Sequence, residues 1–202
     1  AFAPALAGST ITLTLGELLV ASDLTLSGPG AGDLTLSRNH ASRIFPVESS
    51  SNPSLDVTIS GLTLTSGQAP VNADGGAIFN RAENLTIADC LIRDSSAHFG
   101  GGIVNDIGTL TLINSTLTGN SADLGGGIFN GNSSTLINST LSGNAAEVAG
   151  GGIFNADTLT LSSCTLAGNQ ADQGGGLFID GNVTTLNNTI VADSVSGEDV
   201  RN

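Results

Sequence analysis

A single hexapeptide governs what this chain can fold into. Gly75-Gly76-Ala77-Ile78-Phe79-Asn80 returns as Gly101-Gly102-Ile103-Val104-Asn105, as Gly126-Gly127-Ile128-Phe129-Asn130 and as Gly151-Gly152-Ile153-Phe154-Asn155, then in degraded form as Gly175-Gly176-Leu177-Phe178-Ile179. The apolar residue behind the glycines falls at 78, 103, 128, 153 and 177, so the steps are 25, 25, 25 and 24. A fixed period of this size means stacked supersecondary units, each completed by its neighbours. Every unit holds three short runs: the Gly-Ile-Phe-Asn run, then Thr-Leu-Thr-Leu as at 109–112, then Ser-Thr-Leu as at 115–117. Apolar and polar residues alternate in these runs with period two, and Gly, Asn, Ser and Asp fill the gaps. No run carries a helical period. Three short strands per rung of about 25 residues describe an all-β fold, a single-stranded parallel β-solenoid.

The repeat divides one domain, 1–202, into three stretches. Residues 1–70 are irregular N-terminal rungs with strands expected near 11–14, 24–26, 34–36 and 57–65; 71–193 are the regular repeats; 194–202 is a polar tail. About eight rungs at ~4.8 Å each would make a rod roughly 38 Å long.

Stacking turns the repeat into axial rows. Cys90, Ser115, Ser139, Cys164 and Asn188 share one row, and Ile92, Leu117, Leu141, Leu166 and Ile190 form a core row two positions on. Alternation then turns the cysteine row inward as well. Three rungs separate Cys90 from Cys164, roughly 14 Å, whereas a disulfide needs Cα atoms within ~7 Å. Both are expected to be buried thiols rather than a redox or metal pair. Asn80, Asn105, Asn130 and Asn155 form a second row, whose amides can bond from rung to rung as in cross-β stacks. Asn114, Asn138 and Asn187 are placed near another turn. Asn84, Asn114, Asn132, Asn138, Asn182 and Asn187 also lie in Asn-x-Ser/Thr sequons, and a structural ladder is preferred to a glycan acceptor because the pattern recurs with the repeat. Ile128 and Phe129 are neighbours, so a regular strand buries only one of them. Burying the Ile row leaves Phe79, Val104, Phe129, Phe154 and Phe178 as an apolar stripe on an outer face, a candidate interaction surface unless the loop at 144–149 folds over it. Thr86, Thr111, Thr135, Thr160 and Thr185 form an outward row, and Thr116, Thr140, Thr165 and Thr189 another.

With these motifs on the page, a resemblance emerges. The block 4–13 (Pro-Ala-Leu-Ala-Gly-Ser-Thr-Ile-Thr-Leu), Gly16-Glu17-Leu18, the stretch 23–31 (Asp-Leu-Thr-Leu-Ser-Gly-Pro-Gly-Ala) and Ala41-Ser42-Arg43-Ile44-Phe45, together with the Gly-Gly-Ile-Phe-Asn repeats, resemble bacterial secreted and cell-surface right-handed parallel β-helix proteins. The repeat is also similar to that of polymorphic outer-membrane autotransporter passengers. The resemblance implies a right-handed, pectate-lyase-like helix and an extracellular or cell-surface location. It implies little about activity, because fold does not give function. Such proteins normally continue past both flanks, so a fragment, a trimmed mature form or a family member cut down to the rod is expected.

Charge narrows the function classes. The net charge is −13, and Arg38, Arg43, Arg81, Arg93 and Arg201 are the strong cations. Such a surface repels a nucleic-acid backbone and an anionic bilayer. No apolar run is long enough for a membrane-spanning helix. Catalysis would rest on carboxylates or on His40 or His98, since Lys and Tyr are absent. His98 near Asp74 and Asp123 is the best constellation, but it lacks a basic partner. The expectation is no catalytic residue, no cofactor and no metal. Asp123, Glu147 and Asp172, one carboxylate per rung, are sparse for Ca²⁺, which wants several oxygens around one point. The leading expectation is a structural rod that stacks head to tail with itself into a filament or surface fibre. The lack of a capping helix at either end and of edge-protecting Lys accords with that. The alternative is an adhesin segment that binds host or biofilm glycans or proteins. A polysaccharide lyase or hydrolase, and an ice-binding protein read from the Thr rows, complete the set.

Overall fold

A computed structural model describes residues 6–50, 54–181 and 183–202. The sequon at Asn182 and the first five residues, including part of the 4–13 block, lie outside the described residues. Three parallel sheets run the length of the stack. The long sheet joins Ser9–Thr12, Leu34–Ser37, Thr63–Thr65, Leu91–Arg93, Thr116–Thr118, Thr140–Ser142, Thr165–Ala167 and Ile190–Ala192. The Asn sheet joins Phe45–Val47, Ile78–Asn80, Ile103–Asn105, Ile128–Asn130, Ile153–Asn155, Leu177–Ile179 and Val200–Arg201. The Thr sheet joins Leu24–Ser27, Asp56–Ser60, Asn84–Ala88, Thr109–Ile113, Ser133–Ile137, Thr158–Ser162 and Val183–Asn187. A regular rung passes from the Asn sheet to the Thr sheet to the long sheet, then through the glycines to the next rung. This is the β-solenoid of about eight turns that the repeat dictates. It carries one feature beyond three strands per rung: Ser121–Leu124 pairs with Ala145–Ala149 in a short fourth sheet, with a register shift between Ala122 and Leu124.

Alternation fills the interior as expected. Leu85, Ile87, Leu110, Leu112, Leu136, Leu159 and Leu161 enter from the Thr sheet, Ile92, Leu117, Leu141 and Leu166 from the long sheet, and Ile78, Ile103, Ile128, Ile153 and Leu177 from the Asn sheet. All are buried in one continuous cluster. At the last rung the register differs from the sequence expectation by one residue. Val191, not Ile190, stands beside Leu166, and Ile190 points outward beside Thr165, in the place expected for Thr189. Thr189, not Asn188, continues the cysteine row, accepting the Cys164 N–H at 3.3 Å. The cause is the corner between the Thr and long sheets. It needs a left-handed residue, held by Asp89, Asn114, Asn138, Ser163 and Asn188 at φ of 52°, 49°, 50°, 56° and 47°. Asn188 rather than Asn187 therefore turns the chain, and a one-residue slip moves every following side chain to the other face. Asn and Asp tolerate this conformation better than other residues with a side chain.

The inward polar rows are hydrogen-bonded ladders. Asn80, Asn105, Asn130 and Asn155 are fully buried, and each Nδ2 of the first three donates to the Oδ1 of the next at 2.9, 3.1 and 2.7 Å. The fifth repeat has Ile179 in this row, and Asn155 donates instead to Thr184 Oγ1 at 3.0 Å. In the cysteine row, the Ser115 and Ser139 hydroxyls donate to the carbonyls of Ile113 and Ile137. They accept the N–H groups of Cys90 and Ser115 in turn. The thiols of Cys90 and Cys164 are free and buried. Burial pushes the Cys90 thiol up to about 11, and burial raises Cys164 as well.

Two features escape the sequence reading. A second Asn ladder lines the corner after the long sheet: the Asn120 and Asn144 Nδ2 groups donate to Asn144 and Asn169 Oδ1 at 3.0 Å each, and all three side chains are fully buried. The recurring Gly-Asn pairs at 119–120, 143–144 and 168–169 are its signal. Glu83, only 1% exposed, accepts the Ser49 and Leu55 N–H groups at 3.1 and 2.6 Å. No periodicity announces Glu83.

Candidate functional site

The short fourth sheet and the loops beside it form a concave surface. Two open hollows of about 470 Å³ each lie along it and share Ser96, Ala97 and Asp123. They form one shallow groove parallel to the rod axis. Its floor is made of small residues, and the glycines of the adjoining turn pack closely against the next rung. A Cβ added to Gly126 would lie 2.3 Å from the Ala145 carbonyl oxygen and 2.5 Å from that of Gly151. Gln68 and Gln170 bring amides to the groove, and Ser121 and Ser196 hydroxyls.

The titratable cluster of the groove centres on His98. Its Nδ1 lies 3.4 Å from Asp74 Oδ1 and its Nε2 3.6 Å from Asp123 Oδ2, so one imidazole bridges carboxylates from the rungs on either side. The same Asp74 oxygen accepts the Phe99 N–H at 3.2 Å, and the His98 ring stacks on Phe99 at 4.0 Å. Asp74 and Asp123 thereby hold the imidazole in place. His98 remains 38% exposed by its side chain, in an open hollow that does not exclude water. His40 lines the far end of the same groove. Glu147 and Asp172 lie further along it, both exposed. Among the described residues no three His, Cys, Asp or Glu side chains come together as metal ligands.

The aromatic stripe differs from its expected form. The Ile row is buried and the Phe row faces outward, but the row is not an open apolar face. Val104 and Phe154 are buried, and Phe79, Phe129 and Phe178 are half-buried. The rings cover one another: Phe129, Phe154 and Phe178 stack at 5.3 and 5.1 Å. Where Val104 is too small to continue the file, Phe99 reaches in from the loop and stacks on Phe129 at 5.1 Å. At the other end Arg43 lies over Phe79, 5.2 Å from the ring centroid, with Glu17 on its Nε at 3.0 Å. Stacking within the row thus uses surface that an interaction stripe would offer to a partner. The sequons at Asn114 and Asn138 join in an exposed ladder, Asn138 Nδ2 donating to Asn114 Oδ1 at 2.8 Å and Asn114 Nδ2 to Asp89 Oδ1 at 3.2 Å.

The family model described as right-handed beta helix region matches residues 32–198. No curated protein and no solved structure matches the chain.

Proposed function

We propose that this chain, which belongs to the right-handed β-helix family, is a non-catalytic structural rod of a secreted or cell-surface assembly, extended by rung-on-rung stacking. The observation that carries the reading is where the polar groups are spent. The Asn80–Asn155 and Asn120–Asn169 rows are used from rung to rung, and they rigidify the rod without reaching solvent. His98 with Asp74 and Asp123 is open to water and has no Arg beside it for a developing negative charge. Stacking is supported by how rungs join within the chain: the core row Leu112, Leu136 and Leu161 is fully buried and in register from strand to strand, and Leu186 carries the same row into the last strand of the Thr sheet.

Negative-stain electron microscopy of the native, untagged protein tests this. Fibres that lengthen with concentration, and shorten to single rods in Leu186→Glu, are the expected result. A monodisperse monomer at every concentration overturns stacking between copies. Release of fragments from a polysaccharide, abolished by His98→Ala, overturns the non-catalytic reading.

A second reading, an adhesin segment holding an extended glycan, is favoured by the groove: its amides and hydroxyls recur along the axis in a continuous trough. Glycan-array binding lost on replacing Gln170 by Ala would support it.

A further inference from the structure

The outward face of the Thr sheet is unlike the rest of the surface. Its seven strands place Thr25, Thr58, Thr86, Thr111, Thr135, Thr160 and Thr185 in direct register, one per rung without a break. This extends the five-residue row of the repeats by two rungs, into the irregular segment. The neighbours within each central strand, such as Leu110 and Leu112 around Thr111, are buried, so the threonines point out. Among the described residues, none of the seven hydroxyls is engaged by another protein group. From Asn84 onward the flanking columns are Asn84, Thr109, Ser133, Thr158 and Val183 on one side, and Ala88, Ile113, Ile137, Ser162 and Asn187 on the other. In a chain with 18 acidic and five basic residues, that face carries no charge over five rungs. The long sheet shows no such surface: Leu91 and Arg93 interrupt its Thr columns, and Thr63 and Thr65 are buried.

From Thr86 to Thr185, an uncharged array of hydroxyls and methyls, repeated at the ~4.7–4.9 Å strand spacing, restricts the occupant. Protein partners anchor on aromatic and Arg hot spots, and sugar faces stack on aromatic rings. This face has neither. Water needs only a hydroxyl to bond and a methyl to be caged against. Ordering a water costs up to ~2 kcal/mol, and a rigid parallel sheet lowers that cost by fixing its partners in advance at a spacing near the lattice repeat of hexagonal ice. We propose that the Thr86–Thr185 face binds ice. The proposal does not depend on the structural-rod reading, because a single rod presents the whole face.

Ice-recrystallisation inhibition and thermal hysteresis of the purified full chain test it. The double variant Thr111→Lys/Thr135→Lys places two cations mid-face. Thr116→Lys/Thr140→Lys does the same on the long sheet. Far-UV circular dichroism and melting curves monitor the fold, and Thr111→Val/Thr135→Val, which keeps shape and methyls, serves if the Lys variant does not fold. Expected are ice shaping by the parent chain and the long-sheet variant, and its loss in the Thr-sheet variants. An inactive parent chain overturns the proposal, as does equal loss in both Lys variants. Concentration-dependent dimers broken by the Thr-sheet variants, without ice activity, assign the face to a second copy and overturn it too.

Discussion

Asn130 concentrates the stabilising logic of the stack in one side chain. Its Nδ2 donates to Asn155 Oδ1 at 2.7 Å and to the Thr158 carbonyl at 2.9 Å, while its Oδ1 accepts from Asn105 Nδ2 and from Ser134 Oγ. Asn130→Ala leaves Asn155 Oδ1 and the Ser134 hydroxyl without these partners in the buried interior. Each orphaned group costs about 1–3 kcal/mol, so urea unfolding should show a loss of about 3 kcal/mol or more. Asn138→Ala, in the exposed ladder, should stay within about 0.5 kcal/mol of the parent. Equal losses would mean that burial does not set the value of an Asn ladder here. Asp106 works in the other direction. Burial raises its pKa above the ordinary 3.8, and Asp74 adds to this while Arg81 opposes it. A carboxyl with a raised folded-state value binds its proton more tightly when folded. Its stabilising contribution is therefore complete below 3.8 and is lost as pH rises through the folded value. Asp106→Asn should melt higher than the parent at neutral pH, with the difference vanishing in acid. A difference that persists unchanged in acid contradicts this assignment.

Elements here are defined by their junctions more than by their strands. The strands were legible because period-two alternation names the inward residue, and the repeat fixes which strands pair. The junctions were less so. Doubled asparagines at 187 and 188 offered two positions for one left-handed corner, and only chain geometry chooses between them. The groove was visible only as a line of carboxylates, because its shape comes from rung-to-rung approach at the glycines, which leave no side chain to read. Alternation turns the Phe row outward, yet the self-stacking of that row depends on Phe99, a loop residue outside the repeat pattern. The glycine junction yields a sharp contrast. Gly126→Ala drives a methyl against two backbone oxygens, at 2.3 and 2.5 Å, that can move only by separating rungs. Overpacking of this kind costs about 3 kcal/mol. Gly168→Ala meets no atom within 4 Å and bears only the strain of its φ of 64°. That strain is about 1–2 kcal/mol. Parallel denaturant titrations should rank the two in this order, and the reverse order would show that conformational strain, not rung spacing, makes the second glycine obligatory.

At the scale of the molecule, stability is close to a sum of rungs and rung interfaces, and the net charge acts on all of them at once. The chain carries −13, and exposed carboxylates such as Glu147, Asp172 and Asp193 stand along a rod whose arginines are few. Like charges held on a stiff axis cannot move apart as they do in the unfolded chain, so self-repulsion weighs on the folded state. Salt relieves it: the Debye length falls from about 30 Å at 0.01 M to about 3 Å at 1 M. Neighbouring rungs are only ~4.8 Å apart, so charges on adjacent rungs stay coupled until salt is high, whereas charges several rungs apart decouple early. The melting temperature should therefore rise steeply at low salt and more slowly above it, by several degrees in total for a gain of about 1–2 kcal/mol in a chain of this size. Ladder hydrogen bonds and the apolar core supply no such dependence, because both are buried from the ions. Melting curves across a chloride series, with sulfate kept out to avoid its separate effect on apolar burial, would measure the slope. A melting temperature that stays flat or falls with salt would show that the ion pairs Arg43–Glu17 and Arg81–Glu48 outweigh the repulsion among the unpaired carboxylates.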